Sequence, residues 1–107
     1  MARVVALIPD LLFGSKVQSA IAAAGHDVTL TGAPVDLEGV DVLVVDLTTD
    51  AIDPETLPTG SARTLGFFAH VEPAVRDRAL AAGFDQVVPR SRMAREGAEL
   101  VGRLAGG

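Results

Sequence analysis

The heptapeptide Asp41-Val42-Leu43-Val44-Val45-Asp46-Leu47 decides the fold class of this chain. Its second to fifth residues are all apolar, and three of them are β-branched. Such a run, without the alternation of a half-exposed strand, is typical of a strand buried on both faces, as in a parallel sheet. A second run of this kind, residues 4–8, ends at Pro9 and Asp10. Together the two runs predict a parallel sheet with carboxylates at its carboxyl edge.

Shorter apolar runs alternate with amphipathic segments in the rest of the chain. Further strands are predicted at residues 28–30, 65–69 and 86–88. Helices are predicted over residues 13–24 and 73–82 and from Ser91 onward, with Ser91 as the N-cap of the last helix. Alternating strands and helices predict a single α/β domain over residues 1–107, with helices on both faces of a parallel sheet.

Residues 47–63 interrupt this alternation. The segment contains the turn-forming sequences Asp53-Pro54, Leu57-Pro58 and Thr59-Gly60-Ser61. At most one short helix, at residues 54–57, fits between them. We therefore expect this crossover to lack a full-length helix.

The composition excludes several classes of function. The chain has 107 residues, enough for one domain, and no cysteine, which excludes disulfides, thiolate zinc sites and iron–sulfur clusters. A net charge of −5, with no Trp or Tyr, argues against nucleic-acid binding, which depends on cationic side chains and aromatic stacking. No apolar run approaches the roughly 18 residues of a membrane helix, and no targeting segment is evident. We expect a cytoplasmic protein without a membrane or nucleic-acid partner.

Four chemically active side chains are predicted to share the carboxyl edge of the sheet. Asp10, Asp46 and Arg90 each follow a predicted strand, as does His70. Ligands of open parallel sheets bind outside this edge, which is therefore the candidate functional site. Asp10 is also placed to cap the first helix.

Several short sequence motifs near this edge are similar to those of one known protein family. Asp46, near the end of residues 41–47, matches a phospho-accepting aspartate, and Asp10 in Leu7-Ile8-Pro9-Asp10 matches the second of two paired acids. Ala81-Ala82-Gly83-Phe84-Asp85 matches the segment before a fifth strand, and Arg90 occupies the position of a lysine. Over nearly its whole length the chain resembles the receiver domain of bacterial response regulators. This resemblance implies a flavodoxin-like fold, with a five-stranded parallel sheet in the order 2-1-3-4-5 and a third helix that is shortened or absent.

The chain departs from the receiver pattern at four positions. Pro9 replaces the first paired acid, Phe68 replaces a Ser or Thr, Arg90 replaces the lysine, and Ser91 replaces the proline after it. Loss of a carboxylate weakens Mg²⁺ binding, and Phe68 has no hydroxyl to donate to a phosphoryl oxygen. The resemblance therefore implies a degenerate receiver, or pseudo-receiver, that is not an enzyme. We expect Asp46 and Arg90 to form an ion pair.

The resemblance also assigns roles to these residues in the event that the domain is phosphorylated. Asp46 is then the phospho-acceptor, and Arg90 contacts the phosphoryl group. Asp10 and Asp46 form a weak Mg²⁺ site, needed only for that reaction. No other cofactor is expected.

Charge is unevenly distributed along the chain. Residues 1–60 hold two basic and nine acidic residues, a net charge of −7, whereas residues 61–107 hold seven Arg and five acidic residues, a net charge of +2. Four of these Arg lie on the last two predicted helices: Arg76, Arg78, Arg92 and Arg95. With the fifth strand, these helices correspond to the face that receivers use for partners and dimers. We expect a protein partner or self-association there.

Three functions are compatible with these features. The favoured one is a signalling or interaction module with little or no phosphoryl transfer. The second is an active stand-alone receiver that a histidine kinase phosphorylates on Asp46. The third is a flavodoxin-like protein that binds a small molecule at the same edge.

Overall fold

Five strands and three helices form in the computed structural model, which describes residues 1–69 and 73–106. The strands are β1 (Arg3–Leu7), β2 (Asp27–Thr31), β3 (Val42–Asp46), β4 (Arg63–Phe68) and β5 (Gln86–Pro89). The helices are α1 (Leu11–Ala23), α2 (Pro73–Ala81) and α3 (Arg90–Gly106). His70, a predicted member of the carboxyl edge, lies outside the described residues.

All five strands are parallel, in the order β2-β1-β3-β4-β5. The predicted flavodoxin-like sheet and its strand order are therefore confirmed. Every residue of β3, the central strand, is buried, as its unbroken apolar run predicts. Asp46 at the end of β3 pairs in register with Phe67 of β4.

Different elements cover the two faces of the sheet. On one side, here called the helix-covered face, α1 and α3 pack Ile21, Leu100 and Val101 against apolar strand residues. On the other side, the loop-covered face, α2 supplies Val75 and Ala79, and Phe84 follows α2. The remaining cover comes from the connections 32–41 and 47–62, here called the loop cover. The two faces thus differ in backbone structure although the same strands lie beneath them.

No helix forms at residues 54–57, the one place in this crossover where the sequence allowed a short helix. Residues 54–56 make turns, and the described segments 32–41 and 47–62 contain no helix. Asp53 and Pro54 favour a turn because the Asp53 carboxylate accepts the N–H of Glu55 at 2.9 Å. The expectation of a third crossover helix that is shortened or absent is thus confirmed, and the crossover after β2 lacks a helix as well.

The predicted N-cap at Ser91 is also wrong. Helix α3 begins at Arg90, directly after the last residue of β5, so Ser91 lies inside the first turn. The chain passes from strand to helix without a connecting residue, which leaves Ser91 no capping position. The helix then continues through Gly97 and Gly102 to Gly106. Among the described residues, no helix has both the length and the apolar character to cross a membrane.

Candidate functional site

Asp46 lies at the carboxyl end of the central strand and is only 3% exposed. Its Oδ1 accepts a hydrogen bond from the backbone N–H of Thr48 at 2.8 Å and another from the Thr48 hydroxyl at 2.5 Å. These bonds form a local turn that redirects the chain out of β3. The carboxylate is therefore held from its own loop, and the structure places it at the predicted edge.

Asp10 caps helix α1, as the sequence predicts. Its Oδ1 accepts the N–H of Leu12 at 3.1 Å and the N–H of Phe13 at 3.2 Å. A carboxylate in this position satisfies two N–H groups that have no partner inside the helix, and it interacts favourably with the helix dipole. One oxygen of Asp10 is thus committed to the helix end.

Arg90 contacts the second oxygen of Asp10 and lies on an aromatic ring. Its Nη2 donates to Asp10 Oδ2 at 3.4 Å, and its Cζ lies 4.2 Å from the centre of the Phe13 ring. The Phe13 ring is in turn 5.2 Å from the ring of Phe67 in β4. A guanidinium over an aromatic face is attracted by the ring's negative charge density. We call Asp10, Phe13 and Arg90 the edge clasp, because they join the beginning of α1 to the beginning of α3.

The predicted ion pair between Asp46 and Arg90 is therefore wrong. Arg90 pairs with Asp10 instead, since Asp10 and Phe13 on one turn of α1 offer it both a carboxylate and an aromatic face. Thr48 meanwhile holds Asp46. Sequence reasoning missed Phe13, although an aromatic residue three positions after the cap of α1 was the available indication.

Phe68, which stands where a receiver has Ser or Thr, belongs to the apolar core. It is 6% exposed and lies in the cluster of the loop-covered face together with Leu47 and Phe84. No hydroxyl is therefore available at this position beside Asp46. The side chain stabilises the core and cannot donate a hydrogen bond to a phosphoryl group.

The arrangement of the acidic side chains bears on Mg²⁺ binding. Among residues 1–69 and 73–106, no group of three or more His, Asp or Glu is placed to hold a metal ion. Both oxygens of Asp10 are engaged by the end of α1 and by Arg90. As they stand, these residues do not fit a complete Mg²⁺ site, because Arg90 already supplies the positive charge beside Asp10.

The four predicted interface arginines lie on both sides of β5. Helices α2 and α3 contact β5 from opposite faces of the sheet. We call the surface formed by α2, β5 and residues 90–96 of α3 the Arg rim. Arg76 pairs with Asp77 at 3.6 Å, and Arg92 and Arg95 share Glu96 at 3.4 and 4.0 Å. The rim therefore carries exposed ion pairs rather than an unbroken positive surface.

Arg78 is the rim arginine with the shortest contact to another element. It donates to Glu55 at 2.7 Å and to Asp53 at 3.2 Å, both in the connection 47–62. The hydrogen bond to Glu55 and then the charge of Glu55 raise the pKa of Arg78 above its usual value, and the charge of Asp53 adds to them. Arg78 thus attaches the loop cover to α2, a role that the sequence did not indicate.

An apolar cleft lies under the loop cover, away from the edge clasp. Its interior volume is only about 10 Å³, roughly the room for one water molecule, and its walls include Val5, Leu43, Leu37 and Pro58. Small-molecule sites usually have about 300–1,000 Å³ and a few placed polar groups. The cleft therefore gives little support to a small-molecule function.

Comparison with known proteins finds similarity in structure alone. No protein-family model matches the chain. No curated protein matches it either. A response regulator receiver domain from Clostridium thermocellum superposes with a TM-score of 0.83 at 9% identity, over 99% of this chain and 95% of that one.

Two further solved structures illustrate the range of proteins with this architecture. The receiver domain of a sensor histidine kinase from Pseudomonas aeruginosa, with magnesium coordinated in its active-site cleft, has a TM-score of 0.76 at 14% identity, over 99% of this chain and 98% of that one. A putative pilus assembly protein from Burkholderia thailandensis has a TM-score of 0.78 at 18% identity, over 100% of both chains. This chain therefore has the fold of the response regulator receiver domain, the family that its sequence resembles.

Proposed function

We propose that this chain is a receiver-like signalling module that acts by binding another protein, with inefficient or absent phosphoryl transfer. The observation that carries the proposal is the edge clasp. Asp10, the remaining member of the receiver's acid pair, is bound to Arg90 and to the end of α1. Pro9 stands at the position of the other acid.

The chemistry of phosphoryl transfer explains why the clasp matters. That reaction depends almost wholly on positioning and on neutralising the charge of the transferred group. A divalent cation bound by Asp10 and Asp46 would require Asp10 to leave Arg90, and it would lack the carboxylate that Pro9 replaces. Phe68 removes the hydroxyl that would contact the phosphoryl oxygens. Each of these changes lowers the expected rate of transfer to Asp46.

The Arg rim is the proposed partner surface. Arg95 is 71% exposed, and its 4.0 Å contact with Glu96 is the longest ion pair of the rim. An acidic partner surface would bind Arg92 and Arg95 in competition with Glu96. Self-association through the same rim is the alternative, and it would require the rim to meet an acidic part of a second copy.

A second candidate function is an active receiver phosphorylated on Asp46 by a histidine kinase. The observation in its favour is the location of Asp46, buried at the carboxyl end of β3 on the same edge as Asp10. In this function Arg90 would release Asp10 and contact the phosphoryl group instead. Asp10 and Asp46 would then share a weakly bound Mg²⁺.

Thermal melting with Mg²⁺ and beryllofluoride, a mimic of an aspartyl phosphate, separates the two functions. A ligand that binds only the folded state raises the melting temperature by mass action. We expect no rise for the wild type or for Asp46→Asn. A rise in the wild type that Asp46→Asn abolishes would establish the active receiver instead. The triple variant Pro9→Asp, Phe68→Thr, Arg90→Lys, which restores the receiver residues, is the positive control and should gain the rise.

Charge reversal tests the Arg rim. A partner that the immobilised wild type retains on an affinity column, and that salt releases, is held by an electrostatic contact. The double variant Arg92→Glu, Arg95→Glu should fail to retain that partner. Arg103→Glu carries the same kind of change near the end of α3, where Arg103 contacts Glu99, and it should retain the partner. Equal retention by the double variant and the wild type would exclude the rim as the binding surface.

A further inference from the structure

The two edges of the sheet differ in how well they are protected. β5 has four residues, ends in Pro89, and has α2 and α3 packed on either side of it. β2 has five residues, Asp27–Thr31, with no proline, lysine or arginine and three β-branched side chains. Natural proteins commonly protect edge strands with short length, proline or lysine. By these criteria β2 is the open edge.

The parallel pairing with β1 decides which backbone groups of β2 point outward. The N–H of Asp27 donates to the carbonyl of Ala2 at 2.9 Å, and the carbonyl of Thr31 accepts the N–H of Ile8 at 2.9 Å. Asp27 and Thr31 therefore turn their backbone groups toward β1, and alternation along the strand gives Thr29 the same direction. Val28 and Leu30 consequently direct their N–H and C=O groups away from the sheet.

This pattern is complementary to itself. We propose that β2 pairs with β2 of a second copy as an antiparallel strand, about a two-fold axis at Thr29. Val28 then lies opposite the partner's Leu30 and exchanges both backbone hydrogen bonds with it, as an antiparallel hydrogen-bonded pair requires. The same exchange repeats on the other side of the axis. The four outward groups of each strand are thereby satisfied in one register.

The side chains of β2 agree with that register. Asp27, the only charged residue of the strand, lies opposite the partner's Thr31, so no like charges meet. Val28 and Leu30 are partly buried against the core of the helix-covered face, and pairing would cover more of their apolar surface. Thr29 is exposed and meets the partner's Thr29 directly. The result is a ten-stranded sheet with the Arg rim of each copy at its two outer edges.

The association should be weak, and salt should strengthen it. One pair of five-residue strands buries much less than the area of a standard interface, about 1,200–2,000 Å². Each copy carries a net charge of −5, so the two copies repel one another until salt screens them. This dependence is opposite to that expected for an ion-paired contact through the Arg rim. The dimer therefore stands independently of the partner binding proposed above.

Sedimentation velocity tests the dimer from about 10 µM to about 1 mM protein, a range suited to a weak complex. The wild type should rise from 11.0 kDa toward twice that mass as concentration and salt increase. Thr29→Lys should remain monomeric, because two ammonium groups would lie directly opposite at the axis. Thr29→Glu should also remain monomeric, and an equal mixture of the two variants should dimerise. Thr56→Lys introduces the same charge at an exposed threonine of the loop cover and should behave as the wild type.

Amide hydrogen exchange supplies a second measurement at single residues. The N–H groups of Val28 and Leu30 should exchange fast in dilute protein and slowly at high concentration. The N–H of Thr29, bound to β1, should be protected at both concentrations. A wild type that stays at 11.0 kDa throughout overturns the proposal. A dimer that survives Thr29→Lys but is lost in the Arg92→Glu, Arg95→Glu variant overturns it as well, and assigns self-association to the Arg rim.

Discussion

The helix-covered and loop-covered faces bury neighbouring residues of the same strands under different backbone structures. Along β3, Val44 belongs to the core of the helix-covered face and Val45 to the core of the loop-covered face, and both are fully buried. A helix satisfies its own backbone groups and needs partners only at its ends. A loop over a sheet needs another source of hydrogen bonds along its whole length.

Acidic and hydroxyl side chains supply those hydrogen bonds on the loop-covered face. Asp36, Asp46 and Asp53 each accept the N–H of the residue two positions further along the chain, and Thr49 does the same. These are the local turns that Asp and Thr form most readily. The negative charge of residues 1–60 is thus in part a structural device. A group of acidic residues therefore need not mark a ligand site.

Loss of an aromatic ring from β4 should have the greatest effect on stability, and the effect should differ between the adjacent residues Phe67 and Phe68. Phe67→Ala should lower the free energy of unfolding by about 3–5 kcal/mol, because two helices prevent the cavity from collapsing. Phe68→Ala removes the same ring from the loop-covered face, where α2 is the one described helix and the rest of the cover can relax, and it should cost less. Urea unfolding measures the free energy of unfolding of both variants. If Phe67→Ala does not fold, Phe67→Leu takes its place in the comparison. Equal costs would show that the loop cover is as rigid as the helices.

Adding a methyl group on each face tests the same difference between the two covers in a second way. In Gly66→Ala the new Cβ would lie 3.2 Å from two carbons of the buried Phe84 ring, which cannot swing aside as the end of the Leu47 side chain at 2.7 Å can, so we expect a loss of about 1–3 kcal/mol. In Gly14→Ala it would meet the end of the Leu30 side chain at 2.8 Å. That flexible group can move, and alanine favours the helix by about 1 kcal/mol over glycine. Thermal unfolding should therefore show Gly14→Ala close to the wild type and Gly66→Ala clearly below it.

The edge clasp contributes a smaller effect on the helix-covered face. Asp10→Ala removes the cap of α1 and should cost about 0.5–2 kcal/mol. Asp10→Asn keeps a good capping side chain and loses only the charge facing Arg90, an exposed pair worth at most about 1 kcal/mol. Urea unfolding should therefore place Asp10→Asn between the wild type and Asp10→Ala. An Asn variant as unstable as the Ala variant would mean that the ion pair, not the cap, stabilises this end.

The smallest effect concerns how Arg78 holds the loop cover. Arg78→Ala should leave global unfolding nearly unchanged, since the side chain is exposed, but it should speed amide exchange at Glu55 and Leu57. High salt should have the same local effect in the wild type, because it screens the contacts of Arg78 with Glu55 and Asp53. Arg76→Ala, which removes a contact within α2, is the control and should leave this exchange unaltered.

Much of the fold could be predicted from local patterns. The apolar run of residues 42–45 and the alternation of strands with helices predicted the parallel sheet, and the turn-forming prolines 54 and 58 predicted the missing crossover helix. The predicted strand limits were off by one or two residues, as with β4, which begins at Arg63 rather than at Leu65. Such limits depend on pairing with neighbouring strands, which no single stretch of sequence contains.

The sequence alone was enough to predict that Asp10, Asp46 and Arg90 reach the carboxyl edge, because each of them lies at or after the end of a strand of a parallel sheet. It also determined that Asp10 caps α1, since capping depends on residues that are adjacent in the chain. The contacts of Arg90 with Asp10 and Phe13 rather than with Asp46 follow from the packing of the folded chain alone. Arg90 and Asp10 are 80 positions apart. Their meeting depends on how α1 and α3 pack on one face of the sheet, a geometry that local sequence patterns do not encode.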